Sequence, residues 1–377
     1  MMNILQVTKG ALMGGGERHV LTLLEGLKKN DVRLYLAVFS EGRLAEAARR
    51  LGVEVHVIPK RFRGDLRPLK SLVNLIKTKK IDIVHTHLIS GNFYGRLAGK
   101  IAGVKGIVST QHHSHKDAVG HFAVPFMKTL FFGGDNLMGK ISDRIITPSE
   151  DLKRLMINYG IKASKIITIP NAIDMDNTQL SSIQIDSCRR EFAISSDMKV
   201  IGMVGRLVSV KNFELYINAA KQVIDKGIKA KFLIIGEGPL YADLKRLSLD
   251  LGLEKHLIFT GFREDVFRLI AMLDVFVLCS KSETNPIALM EAMASGKPVI
   301  ATHVGGVAEL VDHGVDGLLC SSDDINCLTK SIVHLLSNAK TAESLGNRGR
   351  EKMLKHYSLK RLSTLLFDVY NKIIRVS

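Results

Sequence analysis

Residues 280–296 read Ser-Lys-Ser-Glu-Thr-Asn-Pro-Ile-Ala-Leu-Met-Glu-Ala-Met-Ala-Ser-Gly and set two carboxylates, Glu283 and Glu291, on either side of a helix start. The apolar run Asp274 to Cys279 before them predicts a buried strand. Pro286 has the fixed φ and missing N–H that suit a first helical position, Thr284 and Asn285 are candidate caps, and Gly296 with Pro298 closes the helix. A helix N-terminus offers unpaired N–H groups and partial positive charge, a seat for phosphate. A carboxylate beside bare phosphate repels it, yet one beside vicinal hydroxyls accepts two hydrogen bonds. The implied ligand has an anionic middle and hydroxyl-rich ends, as a nucleotide sugar does. Taken alone, the two glutamates also fit a solvated loop residue and a helix-surface charge, so the rest of the chain must carry the reading.

At 377 residues the chain suits two domains of moderate size. Cys188, Cys279, Cys320 and Cys327 show no metal-like spacing, a reduced, cytoplasmic pattern without a disulfide framework. The opening Met-Met-Asn-Ile-Leu-Gln-Val runs straight into a strand, so no secretory signal is expected, and no apolar run is long enough to span a bilayer. Charge is uneven: residues 1–150 hold 23 Lys+Arg against 12 Asp+Glu, and residues 151–377 hold 30 against 25. The excess gathers at Lys60, Arg61, Arg63, Arg67 and Lys70 and at Lys77, Lys79 and Lys80. Such a face attracts phosphates, anionic headgroups or nucleic acid, and is equally what a soluble basic surface looks like.

In the first half, strands alternate with helical patterns at 4–7, 32–38, 53–58, 81–85, 106–110 and 144–147, the sign of a parallel sheet with ligands at the carboxyl ends of its strands. Gly14, Gly15 and Gly16 lie between the first strand and the next helix, where backbone can approach a ligand closely, although the spacing is not a dinucleotide fingerprint. His85 and His87 end one strand; Gln111, His112, His113 and His115 end the next. A metal is disfavoured for these histidines, since no carboxylate stands at ligand spacing before Asp117 and His112 and His113 point to opposite sides of an extended segment. Hydrogen bonding to a sugar or phosphate suits them better. Residues 122–132, with four phenylalanines, read as a core helix or as an amphipathic surface at a membrane interface.

The join falls near Ile169-Pro170-Asn171-Ala172-Ile173-Asp174, with residues 175–187 read as a linker. A second alternating set follows at 200–204, 231–235, 257–260, 275–279 and 298–301. Its strand ends carry Gly205-Arg206 with Lys211-Asn212, Gly236-Glu237-Gly238-Pro239, Gly261-Phe262-Arg263, the quoted stretch, and Gly305-Gly306. Arg206 supplies a planar fork and Lys211 a mobile point charge, both in reach of one diphosphate. The glycine turns offer backbone to a nucleobase. The tail, residues 342–374, is helical in pattern.

With these motifs in order, the chain resembles the retaining glycosyltransferases of family 4. The resemblance implies an α/β fold of two Rossmann-like domains with parallel sheets facing across a cleft (GT-B). It divides the chain into an acceptor-binding domain over 1–170, a nucleotide-sugar domain over 171–357, and a helix 358–377 that crosses back to the first. It further implies a nucleotide-diphosphate sugar donor, favoured as a UDP-sugar, with no metal and no cofactor. By position, Arg206 and Lys211 hold the diphosphate, Glu291 the ribose hydroxyls and Glu283 the donor sugar. Thr284, Asn285, Pro286 and Ile287 form the helix start around the phosphate and sugar. Gly15 and Gly16 match the N-terminal glycine loop, and His112 the histidine that contacts the transferred sugar. Asn171 matches an interdomain Pro-Asn-Gly motif in which Ala172 replaces the glycine. Where the family commonly has Gly-Phe-Gly after Glu283, this chain has Thr284-Asn285-Pro286.

The activity implied is transfer of a hexose or N-acetylhexosamine to a glycan or lipid-linked acceptor in cell-surface polysaccharide or lipopolysaccharide synthesis. The protein is expected in the cytoplasm, with peripheral contact to an anionic membrane surface. Arg206, Lys211 and the helix at Pro286 stabilise the leaving diphosphate, and front-face delivery of the acceptor needs no protein base. Three other classes fit parts of the pattern: a nucleotide-sugar epimerase of the same fold, a non-catalytic nucleotide-sugar binder, and a nucleic-acid binder. The last is disfavoured by the lack of tryptophan and of an aromatic-rich basic strand.

Overall fold

The computed structural model describes residues 1–10, 14–62, 65–112, 139–176 and 180–376. The chain forms two compact units, one of Met1–Ala172 with Leu359–Ser377 and one of Ile173–Ser358.

In the first unit, β1 (Met2–Thr8), β2 (Val32–Val38), β3 (Glu54–Val57), β4 (Ile83–His87), β5 (Gly106–Thr110), β6 (Arg144–Thr147) and β7 (Ile166–Thr168) form a parallel sheet in the order β3-β2-β1-β4-β5-β6-β7. The strands are apolar on both faces, as helix-covered parallel strands must be, with Ile4, Leu5 and Val7 and then Ile83 and Val84 fully buried. The strand order reverses between β1 and β4. At such a switch point the two flanking connections leave in opposite directions and open a crevice beyond the strand ends. The glycine turn after β1 and His87 at the end of β4 both lie there.

The closing helix Leu359–Val376 completes this unit. Leu362, Leu366, Val369, Tyr370 and Ile373 join the core of Ile4, Leu24 and Ile83, and Ser363 Oγ donates to Gly26 O at 2.9 Å. A Cβ on Gly106 would stand 2.3 Å from Ile373, so the strand is thinned there to admit the helix. Each buried aliphatic side chain contributes about 2 kcal/mol of apolar burial, which makes the helix integral to the unit.

The second unit carries β8 (Lys199–Val204), β9 (Ala230–Ile235), β10 (Leu257–Gly261), β11 (Val275–Leu278), β12 (Val299–Thr302) and β13 (Leu318–Cys320), again parallel, in the order β10-β9-β8-β11-β12-β13. Its switch point lies between β8 and β11. The turn carrying Arg206 follows the first of these strands and the Ser280–Gly296 stretch follows the second.

Four sequence expectations change. Residues 175–187 are not all linker: a helix runs Ser182–Glu191, because Ser181 Oγ accepts from Gln184 N at 3.4 Å and the Gln184 side chain returns to Ser181 N. Only Cys188 of that helix is buried, which is why no apolar period marks it. The tail is two helices, Ala339–His356 and Leu359–Val376, broken where Tyr357 O accepts from Ile173 N. The short strands β7 and β13 were not anticipated. Finally, the expectation of unbonded cysteines is corrected: Cys320, ending β13, is bonded to Cys327 in the first turn of the Ile325–Ser337 helix. The intervening turn folds back far enough to bring their Cα atoms to 5.7 Å. Cys188 and Cys279 are free and buried.

Candidate active site

In the second unit, two loops converge at the switch point. The turn after β8 runs Gly205, Arg206, Leu207 and a short 3₁₀ turn Ser209–Lys211, and ends on Asn212 in the left-handed region at φ +54°. That geometry faces Lys211 toward the loop after β11, where its Nζ lies 2.5 Å from Glu283 Oε1. Ser280 Oγ donates to the same carboxylate oxygen at 2.6 Å. Backbone bonds tie the loops together: Lys281 N donates to Val210 O at 2.8 Å and Gly306 N to Glu283 O at 3.0 Å. Glu283 is thus held by its side chain and by its backbone, and Gly305-Gly306 act through the second of these bonds.

The helix after Glu283 runs Ile287–Ala294, with Pro286 at the N-cap in an extended conformation and no side-chain cap. Pro286 therefore stands one residue earlier than expected, at the N-cap itself. The first intrahelical bond is Met290 N to Pro286 O. The N–H groups of Ile287, Ala288 and Leu289 consequently have no partner within the helix, the feature on which the expectation of a phosphate seat rests. Glu291 is buried on this helix, Asn285 is buried before it, and Thr284 and Ile287 are half-buried. Gly296, at φ +70°, ends the helix.

Arg206 is exposed beside this pair. The Gly236–Gly238 turn lies against its loop so tightly that a Cβ on Gly236 would fall 1.9 Å from Gly205 O and one on Gly238 2.5 Å from Leu207 O. These two glycines are required by close packing of the turns after β8 and β9. Gly261 O accepts from Gly236 N at 2.9 Å, which adds the turn after β10, with half-buried Phe262, to the same rim. Arg263 is turned elsewhere. Its Nε and Nη2 donate to Asp265 and its Nη1 to Glu191, all at 2.6–2.8 Å, so its guanidinium pins the Ser182–Glu191 helix to the start of the Val266–Ala271 helix and leaves its backbone to the rim.

In the first unit, the helix Gly15–Leu27 starts at Gly14, whose N–H donates to Glu17 Oε2 at 3.2 Å. A Cβ on Gly16 would meet Leu88 at 2.8 Å, whereas one on Gly15 would meet nothing within 4 Å. Packing explains Gly16 and leaves Gly15 facing open space. Beside this turn stands a buried group of histidines. His85 is satisfied on both ring nitrogens, by Tyr370 Oη at 2.6 Å and Thr110 Oγ1 at 2.8 Å. His87 Nε2 lies 2.7 Å from Gln6 Oε1 and its Nδ1 3.3 Å from His112 Nε2. His19, from the buried face of the Gly15–Leu27 helix, is third in the group, its ring centroid 4.9 Å from that of His112 and 5.7 Å from that of His87.

Burial lowers the His19 pKa to about 4, against a smaller upward pull from Asn171, and holds His85 and His87 well below the usual imidazole value. These rings are neutral at physiological pH. Chain order separates His19 from the others by many residues and offered no signal beyond a histidine on an apolar helix face. His113, His115, Asp117 and the phenylalanine-rich 122–132 segment lie outside the described residues. Within the basic cluster, Arg67 is bound to Asp65 at 2.8 Å and Lys79 to Glu54 at 2.6 Å, so part of that charge is compensated locally. No helix among the described residues is long and apolar enough to cross a membrane.

Comparison with known proteins agrees with the fold. The family model for Glycosyltransferase Family 4 matches residues 13–177, and that for Glycosyl transferases group 1 matches residues 184–352. The UDP-Gal:alpha-D-GlcNAc-diphosphoundecaprenol alpha-1,3-galactosyltransferase of Escherichia coli is 29% identical over 310 residues, 81% of this chain and 79% of the relative. The N-acetyl-alpha-D-glucosaminyl L-malate synthase of Bacillus anthracis is 26% identical over 323 residues, 82% of this chain and 80% of the relative. Among solved structures, Anabaena Alr3699/HepE in complex with UDP and glucose superposes with a TM-score of 0.89 at 21% identity, covering 98% of this chain and 100% of that one.

Proposed function

We propose that this chain, which belongs to the family 4 glycosyltransferases of GT-B fold, moves a hexose or N-acetylhexosamine from a UDP-sugar to a lipid-linked or glycan acceptor with retention of anomeric configuration. The observation that carries this reading is the convergence of Lys211, Ser280 and Glu283 at the open start of the Ile287–Ala294 helix, with Arg206 on the adjoining turn.

On donor binding, the pyrophosphate takes the place of Glu283 as the counter-charge of Lys211. Arg206 adds a forked contact, and the helix N–H groups receive the phosphate oxygens. Glu283, still held by Ser280, turns its acceptor oxygens to the hydroxyls of the transferred sugar, while Glu291 takes the ribose diol. As the sugar–phosphate bond breaks, negative charge grows on the leaving diphosphate, where these fixed cations and dipoles are placed to stabilise it. A divalent ion usually performs that task in phosphate chemistry; here two side chains and a helix end supply the charge, and transfer is assigned no metal. A phosphate oxygen of the leaving group accepts the acceptor's proton, so no protein base is needed on that face. Gly15, Gly16 and His112 are assigned to the acceptor and sugar.

A UDP donor is favoured because the E. coli relative is named for UDP-Gal and the Anabaena neighbour holds UDP. The lipid-linked acceptor is favoured by that relative's diphosphoundecaprenol substrate and by the basic N-terminal half, which suits peripheral association with an anionic membrane. The decisive experiment is incubation of the purified chain with radiolabelled UDP-glucose, UDP-galactose or UDP-N-acetylglucosamine and a panel of polyprenyl-diphosphate sugars, with product configuration read by NMR. An α-linked product from an α-linked donor is expected. An inverted linkage, or C4- or C2-epimerised donor without transfer, would overturn the reading.

A further inference from the structure

We propose that His19, His87 and His112 form a binding site for a divalent transition metal ion of the zinc class within the N-terminal unit. Their ligand nitrogens all lie within 4.8 Å of one another, and each residue is buried. Around a tetrahedral zinc with Zn–N of about 2.0–2.1 Å, neighbouring nitrogens stand about 3.4 Å apart. His87 Nδ1 and His112 Nε2, 3.3 Å apart, already span one such edge; the proton that His112 Nε2 donates in that hydrogen bond moves to its Nδ1 or to solvent when the ion takes its place. The third vertex falls to His19, whose ligand nitrogen lies within 4.8 Å of the other two and closes on the ion as it binds.

The hydrogen-bond pattern supplies the second argument. Gln6 Oε1 only accepts, so His87 Nε2 carries the proton of that 2.7 Å bond and Nδ1 presents its lone pair inward. A ligating histidine fixed through its other nitrogen by an acceptor is the arrangement that sets tautomer and orientation at metal sites. His19 supplies the third. It is 2% exposed, and Asn171 hydrogen-bonds its ring, an amide partner that can hold one nitrogen while the other is left for the ion. His85, by contrast, has both nitrogens taken by hydroxyls and is excluded from the site.

Three neutral imidazoles with no carboxylate select zinc, copper, nickel or cobalt over magnesium and calcium, which demand oxygen ligands. Three protein ligands leave a fourth position for water. The functional consequence rests on the proposed role of His112: an ion on that ring withdraws it from the sugar, so the loaded protein is inhibited and a chelator restores transfer.

The site is tested on untagged, chelator-treated full-length chain with no donor or acceptor present. Titration with Co²⁺ is expected to give a saturable visible band of tetrahedral intensity at one equivalent, which Zn²⁺ bleaches. His19→Asn and His87→Asn should each weaken Co²⁺ binding at least tenfold while retaining the metal-free thermal melt. Absence of a saturable band, or wild-type affinity in both variants, overturns the site. Should either variant fail to fold, X-ray absorption at the zinc edge of the Zn²⁺-loaded wild type replaces it, with three imidazole ligands expected, and fewer than three overturns the site. Saturable binding with unchanged transfer would retain the site and overturn the inhibitory consequence alone; loss of the transferase reading itself leaves the Co²⁺ titration unaffected.

Discussion

The Lys211 ammonium stands 2.5 Å from Glu283 Oε1, so the residue assigned to the diphosphate and the residue assigned to the sugar are each other's partner before any donor arrives. An ion pair this sheltered, with side chains 23% and 10% exposed, holds both groups in place and keeps an uncompensated carboxylate from repelling an incoming pyrophosphate. Lys211→Ala is expected to lower kcat by about 10²-fold or more through lost charge stabilisation and to raise donor KM. Glu283→Gln should lower kcat with a smaller effect on KM. Because the Ala variant leaves Glu283 bare beside the phosphate, the double variant should recover part of the KM defect. Steady-state kinetics of the four proteins check this, and strict additivity would contradict the coupling.

Arg206 and Arg263, which follow β8 and β10 on either side of β9, separate ligand chemistry from architecture. Arg206 is exposed, and Arg206→Ala should cost about 10²-fold in rate with an unchanged melting temperature. Arg263 is committed to Asp265 and Glu191, and Arg263→Ala should lower stability by about 2 kcal/mol while donor KM stays near normal. Calorimetry beside a donor titration distinguishes the two. A raised KM in Arg263→Ala at full stability would restore that residue to the nucleotide.

Gly236→Ala should be among the most damaging single substitutions in the second unit. Its φ of +145° lies outside the range of a side-chain-bearing residue, and the new methyl would land on Gly205 O. The turns after β8 and β9 would have to part, at a cost of about 3 kcal/mol or more. Gly15→Ala, with no neighbour within 4 Å, should fold normally and lose activity only. Urea melts of the two proteins measure the contrast.

The Cys320–Cys327 bond closes a loop of sequence separation 7, which on chain-entropy grounds stabilises by about 2 kcal/mol. Under denaturing, non-reducing conditions a thiol titration should find Cys188 and Cys279 alone, and after reduction all 4 cysteines. Reduction should lower the melting temperature by a few degrees. Four reactive thiols before reduction would show that the two cysteines remain apart.

Much of this was legible along the chain because its signals are local. A buried parallel strand is an apolar run, a helix start announces itself by Pro286, and a ligand site at strand ends needs only strand order and glycine turns to be located. Thus the alternation of both halves, the Arg206–Lys211 turn and the Glu283–Glu291 stretch could all be read before any fold was known. The Ser182–Glu191 helix escaped because it buries only Cys188, and β7 and β13 because three residues carry no period.

What the linear chain determined is therefore the pair of doubly wound sheets and the motif residues at their strand ends, since neighbours in sequence are enough to encode them. Tertiary structure alone decided who meets whom. It turned Arg263 toward Asp265 and Glu191, bonded Cys320 to Cys327, and joined Lys211 to Glu283 across 72 residues. It also brought His19 from a helix to the ends of β4 and β5. Side chains distant along the backbone share a site only because parallel strands deliver their carboxyl ends to one edge, and no spacing in the sequence records that arrival.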